Sequence, residues 1–209
     1  MIKVKLLARS VPVDDSKSMA SLLSAMKRYT QDYNDVYSIL NEQSPSEVKK
    51  RLVSALKARH YGIFEHMVFT FEITGSRIMT HQMVRHRIAS FLQKSNRTLD
   101  VTKMGFLMPD MSEENIEEAL EFLKMCDDFF YQLIESGVSR DDARRFYPHG
   151  VGTGIIITIN CRALMHFLKL RLSSKANWEI RYIANEMLKI AKQHMPYIFE
   201  KEMMEYWEN

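Results

Sequence analysis

The chain has 209 residues, 46% of them hydrophobic, enough for one compact domain with a sizeable core. Its 29 Lys and Arg against 26 Asp and Glu leave a net charge of only +3, too small a surplus to argue for a nucleic-acid or membrane-surface protein. Two cysteines without metal-ligand spacing, a start "MIKVKLLARSVPVDD" without a signal-peptide pattern, and no apolar run near the ~18–20 residues of a membrane span together predict a single cytoplasmic domain over residues 1–209.

"IKVKLLA" alternates apolar and polar residues and predicts a first strand. Met19, Leu22, Leu23 and Met26 recur at helical spacing within residues 16–30. "SPSE" then predicts a helix start, with Ser44 as N-cap, Pro45 in the first turn and Glu47 closing a capping box; the helix is expected to end near His60 and Gly62. "HMVFTFEITG" sets Val68 and Thr70 against Phe69, Phe71 and Ile73, the alternation of a strand ending at Gly75. Ser76 caps a helix expected to run to about Ile88, which puts the "RHR" triplet at a helix end and "ASFLQKSNR" in the loop beyond.

"GFLMPD" predicts a short strand, and residues 112–137 a long amphipathic helix capped by Ser112 and stopped at Gly137. Ser139 and Asp142 form another capping box, for a short helix that stops before Pro148. "GTGIIITIN" reads as a buried strand leading into the helices "CRALMHFLKLRL" and "ANWEIRYIANEMLKIAKQHM". The fold class is α+β: a small, mostly antiparallel sheet with several long helices.

Four segments carry polar groups that a purely structural chain does not need: "HYGIFEH", "RHRIASFLQKSNR", "ARRFYP" and "NCRALMHFLKLR". His60 and His66 lack an HExxH context or cysteine partners, so no metal is expected. Residues 85–97 hold Arg85, His86, Arg87, Lys94 and Arg97 without one acid. Alone, such a cluster reads as solvated surface ahead of an anion site, because charge runs usually face water. Arg162, His166 and Lys169 recur at helical spacing, with Arg162 and His166 four apart on one face, and the arginines distributed over these segments form a donor set for a phosphorylated ligand. Ser95 has no GxSxG elbow around it, and neither a Walker A sequence nor a GxGxxG turn occurs.

"RHRIASFLQKS" has the form R-H-R, seven residues, Ser, which resembles the signature of the flavin-dependent thymidylate synthases. "HYGIFEHMVFTFEI" is similar to that family's H-x-x-x-F-E-H strand segment, "LIESGVSRDDARRFYP" to its E-x-G…A-R stretch, and "NCRALMHFLKLRLSSKANWEIR" to its N-x-R…W-E-I-R ending. These motifs span roughly residues 46–200 in the family's order.

The resemblance implies an enzyme: reductive methylation of dUMP to dTMP with methylenetetrahydrofolate as carbon donor and FAD reduced by NADPH, in a homotetramer with FAD where subunits meet. It implies flavin contacts at His60, Glu65, Arg85, His86, Arg87, Asn160, Arg162 and His166, and dUMP contacts at Gln82, Gln93, Ser95, Arg97, Arg144 and Arg171. Ser95 and Arg171 become the catalytic candidates, Ser95 anchoring phosphate and Arg171 facing the pyrimidine carbonyl. The sequence departs from the family at Leu92-Gln93, where members usually carry Asn-Glu, and at Thr98, where Tyr usually follows the arginine. A flavin- and nucleotide-binding homologue without dTMP synthesis, or one acting on another pyrimidine nucleotide, is the alternative reading.

Overall fold

The computed structural model describes residues 2–208. In chain order it holds β1 (Lys3–Arg9), α1 (Met19–Tyr29), α2 (Val36–Glu42), α3 (Pro45–Lys57), β2 (Val68–Ser76), α4 (Arg77–Met83), β3 (Ala89–Gln93), α5 (Glu113–Glu135), α6 (Arg140–Ala143), β4 (Gly152–Asn160), α7 (Cys161–Arg171), α8 (Trp178–His194), α9 (Pro196–Phe199) and α10 (Lys201–Glu208). The strands form one antiparallel sheet in the order β1-β2-β4-β3, so β3 and β1 are its edges. The α+β expectation holds. No helix among the described residues is long and apolar enough to cross a membrane.

The central strands follow the sequence pattern. Along β2, Phe69, Phe71 and Ile73 are buried while Val68, Thr70 and Glu72 are not, the two-residue period of a pleated strand. Each central strand runs directly into a helix that carries candidate site residues. Ser76 ends β2 and caps α4 by accepting the Met79 N–H, and Asn160 ends β4 and caps α7 by accepting the Ala163 N–H at 2.8 Å. Ser44 and Glu47 form the expected capping box on α3, Ser112 caps α5, and Gly137 follows α5 at φ +91°.

Several local expectations need correction. The segment after "RHR" is a loop only in its second half: Ala89–Gln93 forms β3, and Lys94 N–H extends the pairing to the Gly154 carbonyl at 2.9 Å. The α4 helix stops at Met83 rather than Ile88, which leaves the triplet on irregular backbone between helix and strand. "FEH" lies in a 3-10 turn, Tyr61–His66, and the strand begins only at Val68. "GFLMPD" makes one isolated bridge, Phe106 to Val151, and no strand.

The end of α3 has its own cause. His60 N–H bonds the Ala55 carbonyl at 2.8 Å and Arg59 N–H the Leu56 carbonyl at 3.0 Å, a Schellman closure with Arg59 at φ 56° where glycine is usual. The helix therefore ends at Lys57, ahead of the expected end near His60 and Gly62.

Two compact units divide the chain. The first holds the start of the chain through Lys3 with Ile73–Arg85 and Phe91–Ile156; the second holds Val4–Glu72, His86–Ser90 and the chain from Ile157. In the first, α5 and α6 pack around Val101, Phe130, Ala143 and Val151. In the second, α1 packs on α2 and α3, and α7 lies against α8 and the Tyr61–His66 turn, with Phe64, Phe167 and Phe199 fully buried.

Candidate functional site

Most of the candidate flavin contacts fall in the second unit: His60, Glu65, His86, Arg87, Asn160, Arg162 and His166, with Arg171 from the nucleotide set. His60, Glu65, Arg87, Arg162 and His166 are exposed, as a ligand-binding set must be. Glu65 and Arg162 meet across 97 residues of sequence at 2.5 Å, carboxylate to Nη1. Both side chains are about half exposed, so the pair fixes orientation more than it adds stability.

His86 is the exception, buried in the edge of this set. Its ring meets Phe167 edge-on, with centroids 4.7 Å apart, and its Nε2 accepts the Arg171 Nε–H at 3.0 Å. Accepting there places the ring proton on Nδ1 and requires a neutral imidazole. Electrostatics agree: burial first, then the charges of Arg171 and His166, pull the His86 pKa down to about 4. Burial also lowers Arg171 from its ordinary value. A candidate flavin contact thus orients the candidate pyrimidine contact.

The first unit holds Gln82, Arg85, Gln93, Ser95, Arg97 and Arg144. Arg144 donates Nε and Nη2 to one oxygen of Asp141 at 2.9 and 2.6 Å, while Arg97 Nε lies 3.6 Å from the other. Arg97 N–H also donates to Ser95 Oγ at 3.2 Å. One carboxylate therefore gathers two guanidiniums beside a serine hydroxyl, leaving net positive charge suited to a phosphate. Gln93 is tied to α4 through its Nε2, which donates to Thr80 Oγ1 at 2.9 Å. A cavity of about 360 Å³ in the same unit is lined by Lys94, Asp100, Lys103 and Thr153 among others, and none of the candidate contacts lines it.

Sequence reasoning missed Thr80, Asp141 and Phe167. Only Asp141 left a signal, three residues before Arg144 in a helical stretch. The contacts of Thr80 and Phe167 depend on how distant segments come together.

Exposed guanidiniums, a neutral imidazole and the Asn160 amide, whose oxygen is taken by the α7 cap, form a donor-rich set. That chemistry fits the pyrophosphate and polar ring edge of a flavin dinucleotide held without a Gly-rich turn. The thiols point away from nucleophilic catalysis: burial pushes Cys161 well up, and burial with the nearby Asp127 raises Cys126.

Comparison with known proteins gives a consistent result. Residues 13–197 match the family model described as thymidylate synthase complementing protein. Over 205 residues the chain is 35% identical to the flavin-dependent thymidylate synthase of Sulfolobus acidocaldarius, covering 95% of this chain and 76% of that one. The Pyrococcus horikoshii enzyme of the same name is 37% identical over 202 residues, 92% of this chain and 81% of its own. That of Geobacter sulfurreducens is 39% identical over 162 residues, 75% and 70% respectively.

Proposed function

This chain belongs to the flavin-dependent thymidylate synthase family and methylates dUMP to dTMP with a flavin cofactor, and from that premise we propose how its residues divide the work. The family match takes in segments of both units, which supports reading residues 1–209 as one functional domain. FAD is held by His60, Glu65, Arg85, His86, Arg87, Asn160, Arg162 and His166. The nucleotide is held by Gln82, Gln93, Ser95, Arg97, Arg144 and Arg171, with phosphate at Ser95, Arg97 and Arg144.

The methylene group of methylenetetrahydrofolate bonds to carbon 5 of uracil, the carbon 5 proton leaves, and a hydride equivalent drawn from NADPH completes the methyl group. Tetrahydrofolate and NADP+ are released. Bound flavin supplies the relay between NADPH and the carbon centre. The protein must make carbon 5 nucleophilic, which shifts negative charge onto the pyrimidine carbonyl. Arg171 is suited to stabilise that charge, because a partly desolvated guanidinium interacts more strongly with a developing anion than a solvated one. Ser95 anchors the phosphate and does not attack carbon. Free thiols at Cys126 and Cys161 support a cytoplasmic enzyme, and a homotetramer places FAD between copies.

The observation that carries this division is the Arg171 to His86 hydrogen bond, which joins one member of the nucleotide set to one of the flavin set. The test is the purified protein itself: a yellow protein whose FAD spectrum shifts on adding dUMP, and which forms dTMP only with both methylenetetrahydrofolate and NADPH. Arg171→Ala should keep FAD and abolish dTMP. A colourless protein that takes up no FAD on titration, or an Arg171→Ala variant with normal turnover, overturns the assignment.

A further inference from the structure

Thr80 has one hydroxyl hydrogen and two lone pairs. Its Oγ1 donates to the Arg77 carbonyl at 2.9 Å, so toward Gln93 it acts only as an acceptor, and it takes the Nε2–H of Gln93 at 2.9 Å. These two bonds fix which end of the Gln93 amide is which. The nitrogen faces Thr80, and the oxygen Oε1 is the end left for a ligand. Thr80 itself is 1% exposed within α4, so it acts on a ligand only through Gln93. A glutamate at 93 has no hydrogen to give at neutral pH, and Thr80 would have to turn its own hydrogen away from Arg77 to support it.

We infer that Thr80 is a positioning residue for the nucleotide: it holds Gln93 so that Oε1 presents an uncharged acceptor to a hydrogen-bond donor of dUMP, either the sugar 3'-hydroxyl or the ring N3–H. The inference rests on the assignment of Gln93 to the nucleotide. Without the anchor, the amide is free to flip its NH2 end toward the donor, which repels it, and to swing away into solvent, so that its contact with the nucleotide is largely lost.

The test uses the FAD-loaded enzyme, with flavin absorbance, the dUMP dissociation constant by calorimetry, KM and kcat measured for Thr80→Val, Thr80→Ser, Gln93→Ala and the Thr80→Val/Gln93→Ala pair. Thr80→Val keeps the shape and removes the acceptor; it should weaken dUMP on the order of five- to tenfold, the loss of one neutral hydrogen bond, with flavin content unchanged. Thr80→Ser should restore wild-type affinity. In the double variant Thr80→Val should add nothing to Gln93→Ala, since both act through one contact. The penalty should also vanish with one analogue, 2',3'-dideoxy-UMP if the donor is the sugar hydroxyl or N3-methyl-dUMP if it is the ring.

A Thr80→Val effect of equal size in the Gln93→Ala background means a structural role and overturns the inference. So does an unchanged or tighter dUMP constant in Thr80→Val alone, the tighter result meaning the amide faces the other way. A penalty that survives both analogues overturns it as well. If Gln93→Ala leaves dUMP binding intact, the assignment of Gln93 falls and takes Thr80 with it, while wild-type protein that binds no dUMP defeats the functional reading itself.

Discussion

His86 is poised to report its environment through pH. Its folded pKa of about 4 lies below the ordinary 6.5, so between these values the unfolded chain binds a proton that the folded chain refuses. Stability therefore rises with pH across that window and is lost as pH falls through it, with no contribution from this group above about pH 7. His86→Gln, which keeps an acceptor for Arg171 but cannot titrate, should flatten the dependence. Urea midpoints of the two proteins at pH 4.5 to 7 measure it, and parallel curves would place the titrating group elsewhere. Arg144 allows a similar test on the phosphate side. Its fork grips one oxygen of Asp141 with two donors, a geometry a lysine cannot copy. Arg144→Lys should raise the dUMP dissociation constant about tenfold with little change in FAD content, the difference between a positioned guanidinium and a mobile point charge.

At the scale of elements, the end of α3 stores strain one residue before a candidate flavin contact. Arg59 sits at φ 56°, where a side chain costs about 1 kcal/mol relative to glycine, part of which glycine's extra freedom in the unfolded chain takes back. Arg59→Gly should raise unfolding free energy by about 0.5–1 kcal/mol; a loss of stability by urea titration would mean that the Arg59 side chain makes contacts that outweigh the strain. The same spot shows how far sequence reading reached. Capping boxes at Ser44, the alternation of β2 and the β-branched run of β4 were legible because each is local chemistry repeated at a fixed period. The α3 end was not, because the left-handed position carries arginine instead of the glycine that signals it. β3 was missed because five residues beside a basic cluster show too little alternation, and only pairing with β4 makes them a strand. The seven-residue α2, capped by Asp35, is too short to display a helical period. For the candidate site, the sequence names candidate residues but not their partnerships. Glu65 with Arg162, and His86 with Arg171, are joined only by the fold.

For the whole molecule, the two candidate sets separate by unit, flavin contacts largely in one and nucleotide contacts in the other, with Arg85 and Arg171 the exceptions. The two ligands should therefore be separable by mutation: Arg97→Ala should lose most dUMP affinity and keep FAD, read from flavin absorbance with and without nucleotide. Assembly is the remaining question at this scale, and large apolar side chains left in solvent bear on it. Ile88 is 75% exposed immediately after the "RHR" triplet, and Leu92 is 69% exposed four residues on. Exposed apolar groups flanking a cofactor-binding segment are what a chain needs if a second copy completes the cofactor site there. Burying one such side chain is worth roughly 1.5–3 kcal/mol, and an aspartate in its place reverses the sign. Ile88→Asp should accordingly dissociate the proposed homotetramer by tenfold or more in concentration and release FAD over the same range, since the proposal places both on the same surface. Sedimentation across a dilution series, with flavin absorbance followed in each boundary, reads the two together. A smaller Ile88→Asp species that keeps its FAD would mean the cofactor is held within one chain, and a wild-type protein that sediments as a monomer while retaining FAD would remove the homotetramer altogether.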